Sequence, residues 1–123
     1  MQDKIDADTR ARRVEELELA IQDYDMAIQL DPNDAMAYAN RGNVPRAKGE
    51  LKGAIEDLNK AIELNPRLPE PYNNRGSIHA SQGKFRAAIV DYEKALEFAP
   101  PNWRHQSQVE GSLELLRKLQ GQE

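Results

Sequence analysis

The sequence predicts an all-α fold, a short α-solenoid of antiparallel helical hairpins with a capping helix at its C-terminal end. Three observations predict it. Pro32, Pro66 and Pro100 mark a period of 34 residues (66 − 32 and 100 − 66). Apolar residues recur at helical spacing within each period, as in Ala54, Ile55, Leu58, Ala61 and Ile62. Glycine and proline fall between the helical stretches, where Gly49 and Gly83 break the chain within a unit and the prolines close it.

Taken in order, the chain divides into four parts. Residues 1–34 form a degenerate or partial first unit. Its second-helix pattern is present from Leu17 to Leu30, but Asp8 stands where Gly42 and Gly76 stand later, and Glu15 stands where Gly49 stands. With no breaker between Thr9 and Leu30, one long helix and a hairpin both fit the pattern. Residues 35–68 form a unit with helices expected over 35–48 and 51–64. Pro45 falls inside the first of these and is expected to kink it, at a cost on the order of 3 kcal/mol. Residues 69–102 form the next unit, with helices expected over 70–82 and 85–98. Pro71 suits the first turn, where no donor is lost. Residues 103–120 form the cap, with Asn102 as the expected N-cap of a helix starting at Trp103. Trp103, Val109, Leu113, Leu116 and Leu119 are expected to pack back on the array.

Composition narrows the function. With 17 Lys+Arg against 21 Asp+Glu the formal charge is −4, the wrong sign for a dedicated nucleic-acid binder. The chain has no cysteine, so disulfides and Cys-ligated zinc are excluded, and a reducing interior compartment such as the cytoplasm is favoured. No apolar run approaches a membrane-spanning length, and Met1–Asp6 lacks the apolar core of a signal peptide. His79 and His105 lie in different helices without a fixed partner in sequence. No phosphate loop, metal-ligand spacing or nucleophile motif is present. The expectation is therefore a protein that is not an enzyme and carries no cofactor or metal.

The repeated segments are Ala20-Ile21-Gln22-Asp23-Tyr24-Asp25-Met26-Ala27-Ile28, Ala54-Ile55-Glu56-Asp57-Leu58-Asn59-Lys60-Ala61-Ile62 and Ala88-Ile89-Val90-Asp91-Tyr92-Glu93-Lys94-Ala95-Leu96. Tyr38-Ala39-Asn40-Arg41-Gly42 is likewise repeated as Tyr72-Asn73-Asn74-Arg75-Gly76. With its 34-residue period, this pattern resembles the tetratricopeptide repeat (TPR) family over about residues 16–102. The resemblance implies that Gly42 and Gly76 sit where two helices cross closely. It also implies that first helices of successive units line a concave groove for a partner.

On this resemblance the groove is lined by Met36, Ala39, Asn40, Asn43, Arg46 and Ala47 of one unit and by Glu70, Asn73, Asn74, Ser77, Ala80 and Ser81 of the next, with Arg104 and Gln108 added by the cap. The partner-binding candidates are Asn40, Asn43, Arg46, Asn73, Asn74, Ser77 and Arg104. Amide side chains offer donors and an acceptor to the backbone of an extended peptide whatever its sequence. One TPR class clamps a terminal carboxylate with lysine, asparagine and arginine in set places. Asn43, Asn74 and Arg104 match three places, but Ala39 and Gln108 depart at the other two, so that chemistry is not expected. Arg41–Asp57 and Arg75–Asp91 are expected to pair within their units.

The expected function is a protein–protein interaction scaffold or assembly factor that holds an extended peptide. The alternative is a self-associating module, a homodimer formed by packing or by domain swapping of a helix. Its candidate residues are Leu17, Ile21, Tyr24 and Ile28, which the first unit leaves partly covered, and Pro45, which weakens the next helix. An RNA-binding helical repeat is a third, less favoured reading, and no nucleic-acid partner is expected.

Overall fold

The structure, a computed structural model, describes residues 2–45 and 50–121, with side chains from residue 6 onward. Among the described residues six helices follow in order: α1 Gln2–Leu30, α2 Ala35–Asn43, α3 Leu51–Leu64, α4 Pro69–Ser81, α5 Phe85–Phe98 and α6 Gln106–Gly121. There is no strand among the described residues, and the fold is an all-α helical-repeat solenoid. Helices α2 and α3 form one antiparallel hairpin and α4 and α5 the next. Helix α1 packs on α2, α3 on α4, and α5 on α6.

Helix α1 is continuous over 29 residues. No glycine or proline interrupts it. Glu15 stands at the position of Gly83 (83 − 68), which turns the α4–α5 hairpin at φ 76. A side chain opposes that left-handed conformation, so the chain runs on as helix. At 1.5 Å per residue α1 is about 43 Å long, some three times the span of the nine-residue α2.

Two expected boundaries are corrected. The helix expected over 35–48 with a kink at Pro45 does not reach that residue, and 46–48 lie outside the described residues. Instead α2 stops at Asn43, and Val44 is extended at φ −65, ψ 126. Proline disfavours helical geometry in the residue before it, and Val44 follows that preference. The start of α2 is firmly set, because the Asp34 carboxylate accepts from the Met36 and Ala37 amides at 3.1 and 3.3 Å. The last helix begins at Gln106 and not at Trp103. Asn102 is no N-cap. It adopts φ 61 in a turn closed by the Trp103 N–H on the Pro100 carbonyl at 3.2 Å. Asparagine tolerates that conformation better than most residues.

Glycine sets the crossings. A Cβ on Gly42 would lie 2.8 Å from Leu58 Cγ and 3.0 Å from the Ala54 carbonyl oxygen, and one on Gly76 would lie 3.0 Å from the Tyr92 ring. The core is thickest at the C-terminal end, where Tyr72, Tyr92, Trp103, Val109, Leu113 and Leu116 are buried together. Leu119, expected to pack back, is exposed. Tyr72 donates its hydroxyl to the Pro66 carbonyl at 2.7 Å and packs on Phe98. By contrast, none of the side chains described in α1 is buried.

Candidate peptide-binding groove

A hollow of about 240 Å³ opens between α2 and α4. Its polar rim is Asn43, Asn74, Ser77 and Ser81, and Val44, Leu51 and Ile78 supply apolar surface. The early stop of α2 shapes it, since Val44 and Pro45 turn away as extended chain and form part of its wall. Helix α4 runs unbroken beside it because its prolines, Pro69 and Pro71, lie in the first turn. Ser77 Oγ lies 3.1 Å from the Tyr92 hydroxyl, which fixes one rim group from below.

The candidate residues distribute unevenly. Asn43, Asn74 and Ser77 line the hollow together, joined by Pro45, which was sought on the self-association face. Asn40 is exposed on α2 outside this lining, and Arg104 is exposed in the turn before α6. Asn73 is corrected: it is buried, at 8% exposure, and is not among the residues that line the hollow. Ala39, one period earlier, is buried at 1%, so this position faces the packing and not the groove in both units. Arg46 and Ala47 lie outside the described residues. On α1, Leu17, Ile21, Tyr24 and Ile28 are half-buried. The apolar residues Val44, Leu51 and Ile78 were not anticipated. Their signal was Pro45, which ends the helix and places Val44 in the wall of the hollow.

Outside the lining of this hollow, the hairpins are tied by two arginine forks. Arg41 donates Nε and Nη2 to Asp57 at 2.9 and 2.7 Å, and Nη1 reaches back to Asp25 at 2.8 Å. Arg75 repeats this, with Nε and Nη2 on Asp91 at 2.9 and 2.7 Å and Nη1 on Asn59 at 2.8 Å. Each arginine thus joins its own unit to the preceding one. The hydrogen bonds to Asp57 hold the Arg41 pKa above its usual range against the opposing effect of burial. Asp91 does the same for Arg75. Burial pushes His79 below the ordinary histidine value, outweighing attraction from Asp91 at 3.6 Å. Among the described residues no cluster of His, Asp or Glu could hold a metal ion, and no helix is long and apolar enough to cross a membrane.

The fold and its groove define a helical-repeat protein of the α-solenoid class. The TPR repeat profile matches residues 15–45 and 42–83, and the Tetratricopeptide repeat profile matches residues 69–102. The chain belongs to the tetratricopeptide repeat family. Among curated proteins no relative matches. Among solved structures, the Arabidopsis OM64 TPR domain is similar at 26% identity and TM-score 0.71, over 89% of this chain and 88% of that one. The first TPR of Spaghetti (RPAP3), bound to the HSP90 peptide SRMEEVD, is similar at 25% identity and TM-score 0.64, over 89% and 86%. The Yersinia enterocolitica type III secretion chaperone SycD, in complex with a peptide of the translocator YopD, shares the fold at 16% identity and TM-score 0.75, over 91% and 88%.

Proposed function

We propose that the chain is a protein-interaction scaffold that holds an extended peptide in the α2–α4 groove. The observation that carries this reading is the convergence of Asn43, Asn74, Ser77 and Ser81 around one hollow beside an apolar strip. Amide and hydroxyl groups pair with peptide backbone, while the strip accepts one or two apolar side chains. The similar first TPR of Spaghetti (RPAP3) carries a bound peptide, which supports the class of ligand. The carboxylate clamp is not part of the proposal, because Ala39 is buried where a cation would be required. The role is binding, without catalysis.

The experiment is selection of random heptapeptides on the full chain, followed by titration of a selected peptide against Asn43→Ala/Asn74→Ala. Loss of two backbone-directed amides is expected to weaken binding about tenfold or more, at roughly 1 kcal/mol per hydrogen bond. Unchanged affinity defeats the reading. A second reading, self-association into a homodimer through α1, is favoured by one specific observation. Val14, Leu19, Met26 and Leu30 are exposed at 53%, 58%, 57% and 80% on that helix.

A further inference from the structure

The internal repeat shows what α1 lacks. Position by position, Ala20, Asp23, Tyr24 and Ala27 correspond to Ala54, Asp57, Leu58 and Ala61, and to Ala88, Asp91, Tyr92 and Ala95. All eight later residues are buried, at 8% exposure or less. None of their four counterparts in α1 is buried. In the later units the helix that meets this face is the unit's own first helix. It presents glycine to Leu58 or Tyr92 and arginine to Asp57 or Asp91. By the same period, residues 2–14 should meet this face in the first unit, but they continue in line with it as the N-terminal half of α1.

We propose that the occupant is residues 2–14 of a second copy, so that two α1 helices lie antiparallel and complete each other's first unit. This rests on the self-association reading and names the segment that does it. Charge supports the match. Residues 15–30 carry five acidic groups and no lysine or arginine; Asp25 is held by Arg41 of its own chain, which leaves Glu15, Glu16, Glu18 and Asp23. The preceding stretch, residues 2–14, holds Lys4, Arg10, Arg12 and Arg13 against Asp3, Asp6 and Asp8, with its three arginines gathered at the C-terminal end. Antiparallel placement lays these arginines along the partner's acidic half. The period assigns Ala7 to face Asp23, as Arg41 faces Asp57. Arg10, one helical turn on, supplies the missing cation. Asp8 cannot make the close crossing of Gly42. Helices that no tight turn holds together settle at the ordinary axis separation of about 8–10 Å. The contact is isologous, so a closed dimer uses both faces.

The test exploits the absence of cysteine. In the full chain carrying Asp8→Cys and Ala20→Cys, the two positions lie twelve residues apart on one continuous helix, about 18 Å. That exceeds disulfide reach within one chain. Oxidation followed by a non-reducing gel is expected to give a covalent dimer, with sedimentation of the unmodified chain showing a dimer at micromolar concentration. A monomer containing an internal disulfide means the chain closes its own hairpin and overturns the exchange. A dimeric mass without cross-linking overturns the exchange and leaves self-association standing. A monomeric mass for the unmodified chain overturns both. Arg10→Glu is expected to weaken the dimer several-fold and Asp23→Arg in the same chain to restore it; absence of that rescue removes the proposed pairing.

Discussion

Replacing Arg75 with methionine is expected to lower unfolding stability by about 3 kcal/mol, the lower end of the cost of breaking a buried ion pair. The reason is the partner left behind. The Asp91 side chain is only 4% exposed and takes two hydrogen bonds from Arg75 at 2.7 and 2.9 Å. Methionine keeps much of the stem's packing but leaves the carboxylate without its fork. Arg75 itself is 24% exposed, so water recovers part of the loss. Lys94→Met is the control. Lys94 meets Glu97 at 3.2 Å, but both are about half exposed, and such a pair contributes about 0–1 kcal/mol. Urea unfolding of the two variants checks the difference, and equal losses contradict it.

Gly42→Val is expected to be at least as damaging, with a loss of about 3 kcal/mol or more from overpacking. Its first carbon alone would lie 2.8 and 2.9 Å from Leu58 side-chain atoms and 3.0 Å from a backbone oxygen of α3. Leu58 is fully buried and cannot swing aside, and the Ala54 carbonyl belongs to the helix ladder. Helices α2 and α3 must therefore separate. Gly111→Val is the contrasting substitution, since nothing lies within 4 Å of a Cβ there. Thermal unfolding followed by circular dichroism separates them. A Gly42→Val midpoint matching Gly111→Val contradicts the close crossing.

Much of the fold was legible because the period is chemical as well as numerical. Glycine at 42 and 76 and alanine at 54, 61, 88 and 95 announced close helix crossings, and the forks followed from Arg41 and Arg75 facing Asp57 and Asp91. What escaped lay between units. Each arginine stands 16 residues from both of its partners, one ahead and one behind, yet pairing was sought only within a unit. Asp25 and Asn59 carried that signal at equivalent positions. Helix ends were misplaced where a local rule was weighed wrongly. Pro45 ended α2 because the geometry of Val44 was decisive, and Asn102 served the turn after Pro100 and Pro101 and not a helix start. In the groove, amides were grouped by helix face. Asn73 failed because its counterpart, Ala39, already marked that position as one for packing.

The peptide groove is tested most directly by amide shift mapping of the isotopically labelled chain with a peptide selected on it. The account predicts that the largest shifts fall on Asn43, Val44, Asn74, Ser77 and Ser81, and that unlabelled peptide in excess saturates them together. Largest shifts on the outward positions of α3 and α5, such as Lys60, Val90 and Lys94, with the α2–α4 residues unmoved, would contradict it.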